Sequence, residues 1–284
     1  MLKLNFSAAL CNFDTINSKQ NKTNPYLCSN NFHSIHNKGF MSLQKAEMLP
    51  SLSVDCVIFG YDDNTLKVLV RREEVPVSGV ILTEWKLPGN HVLRNEDVDT
   101  TAARILKEQT GLENIYAKQF HVFSDPDRLK RRPQDFEWVK PRLTDERVLT
   151  VGFYSLLNLS DFDNSNLIEV ARWIRVDEVN DLMFDHRDIF DAALKKLRYD
   201  LIHEPLVFEL LPEKFTLTQM QKVYEAIFDT IFDKRNYRRK INKMPYLIAL
   251  NEYQSGVSHK PAQLFRFDKG LYEETRTERF DFRV

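Results

Sequence analysis

The residues whose types and spacing could do chemistry lie between Trp85 and Leu112, in the segment WKLPGNHVLRNEDVDTTAARILKEQTGL. This segment predicts a strand, a turn that contains glycine, a loop and then a helix. Asp97 or Asp99 can cap the helix, and Gly111 can adopt the left-handed conformation that ends it. Side chains three or four positions apart on a helix share one face, so ligands at that spacing would converge.

Glu108 is the one carboxylate in the last two turns of the predicted helix. Residues 105 and 109 point the same way, with 108 beside them. Carboxylates there would suit Mg²⁺, which prefers hard oxygen ligands, and metal-assisted hydrolysis needs several of them. Ile105 offers no ligand, Gln109 offers a neutral one, and Glu108 alone makes a poor metal site. We therefore predict no catalytic residue, no metal and no cofactor.

The segment resembles the Nudix box, whose family pattern is G-x5-E-x7-R-E-U-x-E-E-x-G-U with U aliphatic. The positions in register are Glu96, Arg104, Leu106, Glu108, Gly111 and Leu112. Asn90 stands at the first glycine position with Gly89 one residue ahead, and Ile105 and Gln109 replace two glutamates. In the family the helical glutamates hold Mg²⁺ for attack on a diphosphate, and the first glutamate and the arginine form a salt bridge that shapes the loop. The resemblance implies a Nudix fold that has kept its scaffold and lost its catalytic ligands.

Length and composition predict a soluble globular protein of about two domains. The chain has 284 residues, of which 43% are hydrophobic and 29% are charged, and its net charge of −1 excludes a uniformly basic protein. No segment approaches the roughly 18 consecutive apolar residues of a membrane span. Three cysteines without a CxxC spacing predict neither a disulfide framework nor a zinc site, which favours a reducing cytoplasm.

Residues 1–48 are predicted to be an N-terminal extension that is either disordered or not part of the native protein. Residues 1–40 are rich in Asn and Ser and show no periodicity. The apolar run in MLKLNFSAALC is too short for a secretion signal.

Residues 49–184 are predicted to form an α+β domain, a Nudix-like α/β/α sandwich of mixed strands with a second helix beside the box helix. The residues that could line an effector pocket are Trp85, Arg104, Glu108 and Arg147. The alternative is that Trp85 is core, Arg104 is scaffold and Glu108 is solvated. Residues 124–147 are polar, contain three prolines and show no helical stripe, so they predict a long loop. The basic run Arg128–Arg132 in it could meet phosphate or could be a solvated loop.

Residues 185–284 are predicted to form a linker helix and a winged helix-turn-helix. Apolar residues at steps of four predict one amphipathic helix from Asp185 to Leu201. A capped apolar helix follows, with Thr216 or Thr218 at its start and a stripe predicted to be buried at Leu217, Met220, Val223, Tyr224 and Ile227. A basic helix over Asp233–Met244 comes next, with its apolar side at Tyr237, Ile241 and Met244, and then two alternating strands. In such a domain the second helix enters the major groove and the wing touches the backbone. The predicted DNA contacts are Lys234, Arg235, Asn236, Arg238, Arg239, Lys240, Lys243 and Lys260.

The run FELLPEKFTLTQMQKVYEAIF…DKRNYRRK…KPAQLFRF is similar to the C-terminal domain of the Nudix-related transcriptional regulators. The resemblance covers residues 51–270 and implies operator DNA and a small effector as partners, commonly with a homodimer. Some members sense ADP-ribose, and one branch that has also lost glutamates senses L-arabinose. We expect a regulator whose degenerate Nudix domain senses an effector, with a sugar favoured over a nucleotide-sugar or ADP-ribose. The alternatives are a hydrolase of a nucleoside diphosphate derivative with an accessory winged helix, and a dimerisation module that binds no ligand.

Overall fold

The structure, a computed structural model, describes residues 47–62, 64–77, 79–142, 147–160, 162–258 and 260–275 together with Phe282. The predicted N-terminal extension therefore lies outside the described residues, except for its last two. Met48 belongs to the first strand, where it pairs with Leu93.

Seven strands form one mixed sheet. They are β1 (Met48–Asp62), β2 (Thr65–Val77), β3 (Val80–Lys86), β4 (Gly89–Leu93), β5 (Ala117–Phe123), β6 (Leu149–Asn158) and β7 (Ala171–Arg175). Their order is β3-β2-β1-β6-β5, with β4 on β1 and β7 on β2, and only β1 and β6 run parallel among the described pairs.

Strand β4 corrects the prediction of a loop after the glycine turn. It pairs with β1, and Gly89 permits the close approach, because a Cβ atom at Gly89 would lie 1.8 Å from Oδ1 of Asp55. The residue that must be glycine for β4 to lie against Asp55 is therefore Gly89, and not Asn90 at the family's glycine position.

The sheet is covered by helices on both faces, as predicted for an α/β/α sandwich. Alternate residues of β1 enter two apolar clusters, one with Val57 and Phe59 and the other with Val54 and Cys56. Helix α1 (Val98–Thr110) packs in the second cluster. The first cluster contains the linker helix α3 (His186–His203) and continues into the C-terminal domain. The predicted stripe of α3 is fully buried at Ile189, Ala193, Leu197 and Leu201.

The polar segment predicted as one long loop contains a helix, α2 (Pro133–Val139), between two 3₁₀ turns at Arg128–Lys130 and Lys140–Arg142. Proline is favoured in the first helical turn, where its missing N–H is not needed. Only two turns long, α2 has too few residues to show a stripe in the sequence, which is why periodicity missed it.

The C-terminal domain is a winged helix. Helix α4 (Leu217–Phe228) starts at a capping box between Thr216 and Gln219, and its predicted stripe is buried. Helix α5 (Lys234–Ile241) follows, and then a hairpin of β8 (Leu247–Tyr253) and β9 (Gln263–Phe267). Helix α6 (Lys269–Thr275), after the wing, was not predicted.

Helix α5 ends three residues before the predicted Met244. The amides of Lys243 and Met244 bond to carbonyls three residues back, so the last turn tightens instead of continuing as α-helix. Among the described residues, no helix is both long and apolar enough to cross a membrane.

Candidate functional site

The loop before α1 is held to the helix by the salt bridge that the Nudix resemblance implies. Nε of Arg104 lies 2.9 Å from Oε1 of Glu96, and Arg104 Nη2 donates to Glu96 and to the His91 carbonyl at 3.0 and 3.2 Å. The Thr101 hydroxyl donates to the same carboxylate at 2.9 Å. The hydrogen bond from Arg104 holds the pKa of Glu96 below its ordinary value. The scaffold of the box is therefore intact.

The two ends of α1 are formed by the residues that the sequence indicated. Of the two aspartates, Asp97 is the cap, since its Oδ1 accepts from the Thr100 amide at 2.7 Å. Gly111 ends the helix at φ 71°, a left-handed conformation that costs glycine little.

The helix face that would carry metal ligands is built into the core instead. Ile105 is 1% exposed inside the second apolar cluster, and Gln109 is buried beside it. Glu108 is half exposed and accepts from Nη1 of Arg104 at 3.3 Å. No group of three or more His, Cys, Asp or Glu side chains placed to hold a metal occurs among the described residues.

The four predicted pocket residues fall in different surroundings. Arg104 and Glu108 contact each other on α1. Trp85 packs against the other apolar cluster, and the guanidinium of Arg172 lies 3.7 Å from the centre of its ring. Arg147 is exposed just before β6. A shared ligand role for these residues stays a prediction.

Arg128 and Arg132 of the basic run are neither solvated nor free to meet phosphate, so both readings were wrong for these two residues. Arg128 is 2% exposed, and its Nε and Nη2 donate to the two carboxylate oxygens of Asp185 at 2.8 Å each. Its Nη1 donates to the Thr150 hydroxyl at 2.6 Å. Arg132 pairs with Glu84 at 2.8 Å.

Arg131 of the same run is partly exposed and pairs with Asp125 and Asp188. All three arginines thus hold the segment to the body of the domain. No local sequence pattern indicates these pairs, because Asp185 and Asp188 each lie 57 positions from their arginines.

The start of α3 is bonded to the end of the strand that leads into the box. The Leu87 amide donates to Nδ1 of His186 at 3.0 Å, and Nε2 of His186 faces Asp55 at 3.8 Å. Burial lowers the pKa of His186, so the ring is neutral near pH 7 and its Nδ1 can accept. Asp185 occupies the N-cap position of α3, but its carboxylate accepts from Arg128 and makes no hydrogen bond to the helix amides. In the sequence, the sign of this attachment is the polar pair Asp185–His186, which comes shortly before the apolar stripe of α3.

Helix α5 presents a basic surface. Its predicted DNA contacts are exposed at Lys234, Arg235, Asn236, Arg238, Arg239 and Lys243, as is Lys260 in the wing, while Lys240 is half-buried. Tyr237 and Ile241 are buried, as the apolar stripe predicted, and Met244 is partly buried. Asp233 caps the helix through the Asn236 amide at 2.8 Å. The cations are thereby left on the outer side of the short helix.

Two family matches cover most of the chain. The NUDIX domain matches residues 49–193, and the NrtR DNA-binding winged helix domain matches residues 207–267. The chain is 27% identical over 224 residues to a protein of Acinetobacter baylyi named ADPR responsive transcriptional repressor NtrR, covering 77% of this chain and 82% of that protein.

Solved structures share the fold. A crystal structure of Shewanella oneidensis NrtR complexed with a 27mer DNA superposes with a TM-score of 0.63 at 23% identity, covering 81% of this chain and 97% of that one. A MutT/nudix family protein from Enterococcus faecalis gives a TM-score of 0.56 at 24% identity, covering 77% and 88%. With a Nudix scaffold that has lost two of its helical carboxylates and a winged helix with a basic outer surface, the chain belongs to the Nudix-related DNA-binding transcriptional regulators.

Proposed function

We propose that the protein is a transcriptional repressor whose Nudix domain binds ADP-ribose without hydrolysing it, and that bound ADP-ribose weakens its affinity for operator DNA. The observation that carries the proposal is a Nudix box with an intact Glu96–Arg104 bridge but with Ile105 and Gln109 at two ligand positions. A sensor needs the shaped loop and does not need the chemistry.

The lost carboxylates also favour binding of a diphosphate without metal. Two additional glutamates on α1 would repel a diphosphate unless Mg²⁺ neutralised them. An isoleucine and a glutamine at these positions remove that requirement. The Acinetobacter relative is named as responsive to ADP-ribose, which moves our preference from the sugar expected on sequence grounds to ADP-ribose.

A neutral sugar is the second candidate effector. It is favoured by Ile105 and Gln109 at two metal-ligand positions, because a site that has lost metal ligands has no need of a ligand that brings Mg²⁺ with its diphosphate. Trp85, Arg104, Glu108 and Arg147 remain the proposed ligand contacts in either case.

A homodimer on a palindromic operator is proposed as well, with half-sites about one helical turn apart or a multiple of that.

Isothermal titration of the full chain without added metal tests the effector. We expect heat of binding for ADP-ribose and weaker binding in Arg147→Ala. Arg175→Ala, which removes an exposed arginine paired with Asp177, is the matched control and should bind normally. Binding of a pentose but not of ADP-ribose would show that the effector is a sugar. Binding of neither compound would show that the Nudix domain is a module without a ligand.

Incubation with Mg²⁺ or Mn²⁺ separates the sensor from the hydrolase. We expect no turnover of ADP-ribose, NADH or nucleoside triphosphates above background. Turnover that is lost in Glu108→Gln would show that the box is a working catalyst.

A further inference from the structure

Phe282 lies inside the DNA-binding domain, although it is the last described residue and lies beyond the residues matched by the winged-helix family. It is 2% exposed. Its ring stacks on Tyr224 of α4, with centroids 3.8 Å apart and planes at 14°, and meets Tyr237 of α5 edge-on at 5.9 Å. The ring of Phe232, in the turn between the two helices, is 6.3 Å away. Phe282 thus contacts both helices of the helix-turn-helix.

The backbone of Phe282 makes a third attachment. Its N–H donates to the Ile202 carbonyl at 2.8 Å, in the last turn of the linker helix α3. Carbonyls in the last turn of a helix have no partner within the helix, so the Phe282 N–H satisfies an acceptor that α3 itself cannot satisfy. One residue therefore joins the linker helix to both DNA-binding helices.

The recognition helix has few other attachments. Helix α5 is eight residues long, and its fully buried side chains are Tyr237 and Ile241. A helix this short is held by tertiary packing and not by its own propensity. Lys240, one turn after Tyr237, also places its ammonium 5.3 Å from the centre of the Phe282 ring. Two of the eight residues of α5 therefore contact the same ring.

The contact with Tyr237 is set by packing alone. Within the described part of the chain, the buried hydroxyls of Tyr224 and Tyr237 have no hydrogen-bond partner. Besides one exposed hydrogen bond, from Nη2 of Arg238 to the Thr218 hydroxyl of α4 at 3.3 Å, the direction of α5 relative to α4 then depends on how the rings stack around Phe282. Stacked and edge-to-face rings have preferred geometries, so replacing the central ring changes direction as well as stability.

We propose that Phe282 is a positioning residue for DNA recognition: it fixes the direction of α5 and ties that direction to the end of α3. The proposal rests on the use of α5 to read DNA. Contacts to base edges tolerate little misorientation, whereas contacts to phosphate act mainly through charge. Loss of the ring should therefore reduce preference for operator over random DNA while leaving the number of phosphate contacts unchanged.

The test compares full-length Phe282→Ala and Phe282→Tyr with the wild type. A control, Phe120→Ala, deletes a partly buried ring that packs on Phe123 and Tyr154 in the Nudix sheet. Hydrogen exchange is measured over residues 234–241, and affinity is measured for a sequence selected by the wild type from random DNA.

In Phe282→Ala we expect about tenfold faster exchange in α5 with the Nudix sheet unchanged. We also expect operator preference to fall about tenfold at an unchanged salt slope. Phe282→Tyr should restore both, and Phe120→Ala should loosen only the sheet. Unchanged exchange in α5 or unchanged operator preference in Phe282→Ala would overturn the proposal. If the wild type itself selects no DNA, the DNA-binding function fails, and the exchange data alone still decide whether Phe282 positions α5.

Discussion

Two arginines of the same basic run differ in their burial and in the carboxylates that they contact. Arg128 and Arg131 are three positions apart in one basic run, yet Arg128 is buried between Asp185 and Asp55 while Arg131 is partly exposed. Removing one partner of a buried pair leaves the other charge uncompensated. A surface pair contributes little by comparison.

Arg128→Ala should therefore lower the free energy of unfolding by about 3–5 kcal/mol. Arg131→Ala, the matched control in the same segment, should change it by no more than about 1 kcal/mol. Urea unfolding at pH 7 measures both. Equal losses for the two variants would mean that Arg128 is not buried in solution.

The box salt bridge predicts a pH dependence. Folding lowers the pKa of Glu96 below its ordinary value of 4.5, chiefly because Arg104 donates to the carboxylate. The unfolded chain then holds the proton more tightly, so the contribution to stability is full above pH 4.5 and disappears as the pH falls through the lower folded-state pKa.

Glu96→Gln should accordingly melt lower than the wild type at neutral pH, with the difference shrinking below pH 4.5. Glu113→Gln breaks an exposed pair between Glu113, just after α1, and Lys107 in that helix, and should have a much smaller effect. Melting curves from pH 3 to 7 compare them. A Glu96→Gln difference that stays constant over this range would contradict the linkage.

At the scale of elements, periodicity predicted what long helices and alternating strands bury. The stripes of α3 and α4 and the inward side of α5 were all identified from spacing alone. The misses are short or non-local. Strand β4 depends on a steric fit of Gly89 against Asp55, and α2 is held by Asp135, whose carboxylate accepts from the Phe184 amide at 2.6 Å. No local pattern encodes contacts of this kind.

The cations in and around α5 are predicted to fall into two groups, one that contacts bases and one that contacts phosphate. Arg235 lies in the first turn of the helix, where recognition helices reach base edges, and Arg238 is exposed one turn later. We propose that these two arginines reach bases and that Lys243 and the wing Lys260 meet phosphate. Arg235→Ala or Arg238→Ala should cost about 1–3 kcal/mol of preference for operator over random DNA.

Lys243→Ala or Lys260→Ala should instead weaken both DNAs about equally and reduce the salt slope by roughly one. Fluorescence anisotropy at several salt concentrations distinguishes the two patterns. If all four substitutions leave DNA binding intact, the basic surface of α5 is not the recognition surface.

Across the whole molecule, one helix links the two domains. The start of α3 bonds to Leu87 and Arg128 in the Nudix domain, and its last turn bonds to Phe282 in the DNA-binding domain. Its 18 residues span about 27 Å at 1.5 Å each. We propose that an effector bound at the box biases helix α5 through α3.

The most direct test of this account is a thermodynamic cycle with ADP-ribose and operator DNA. Operator affinity is measured with and without saturating ADP-ribose, and ADP-ribose affinity is measured for free and operator-bound protein. We predict that ADP-ribose weakens operator binding and that operator weakens ADP-ribose binding by the same factor, as linkage requires. Operator affinity that does not change at saturating ADP-ribose would contradict the account.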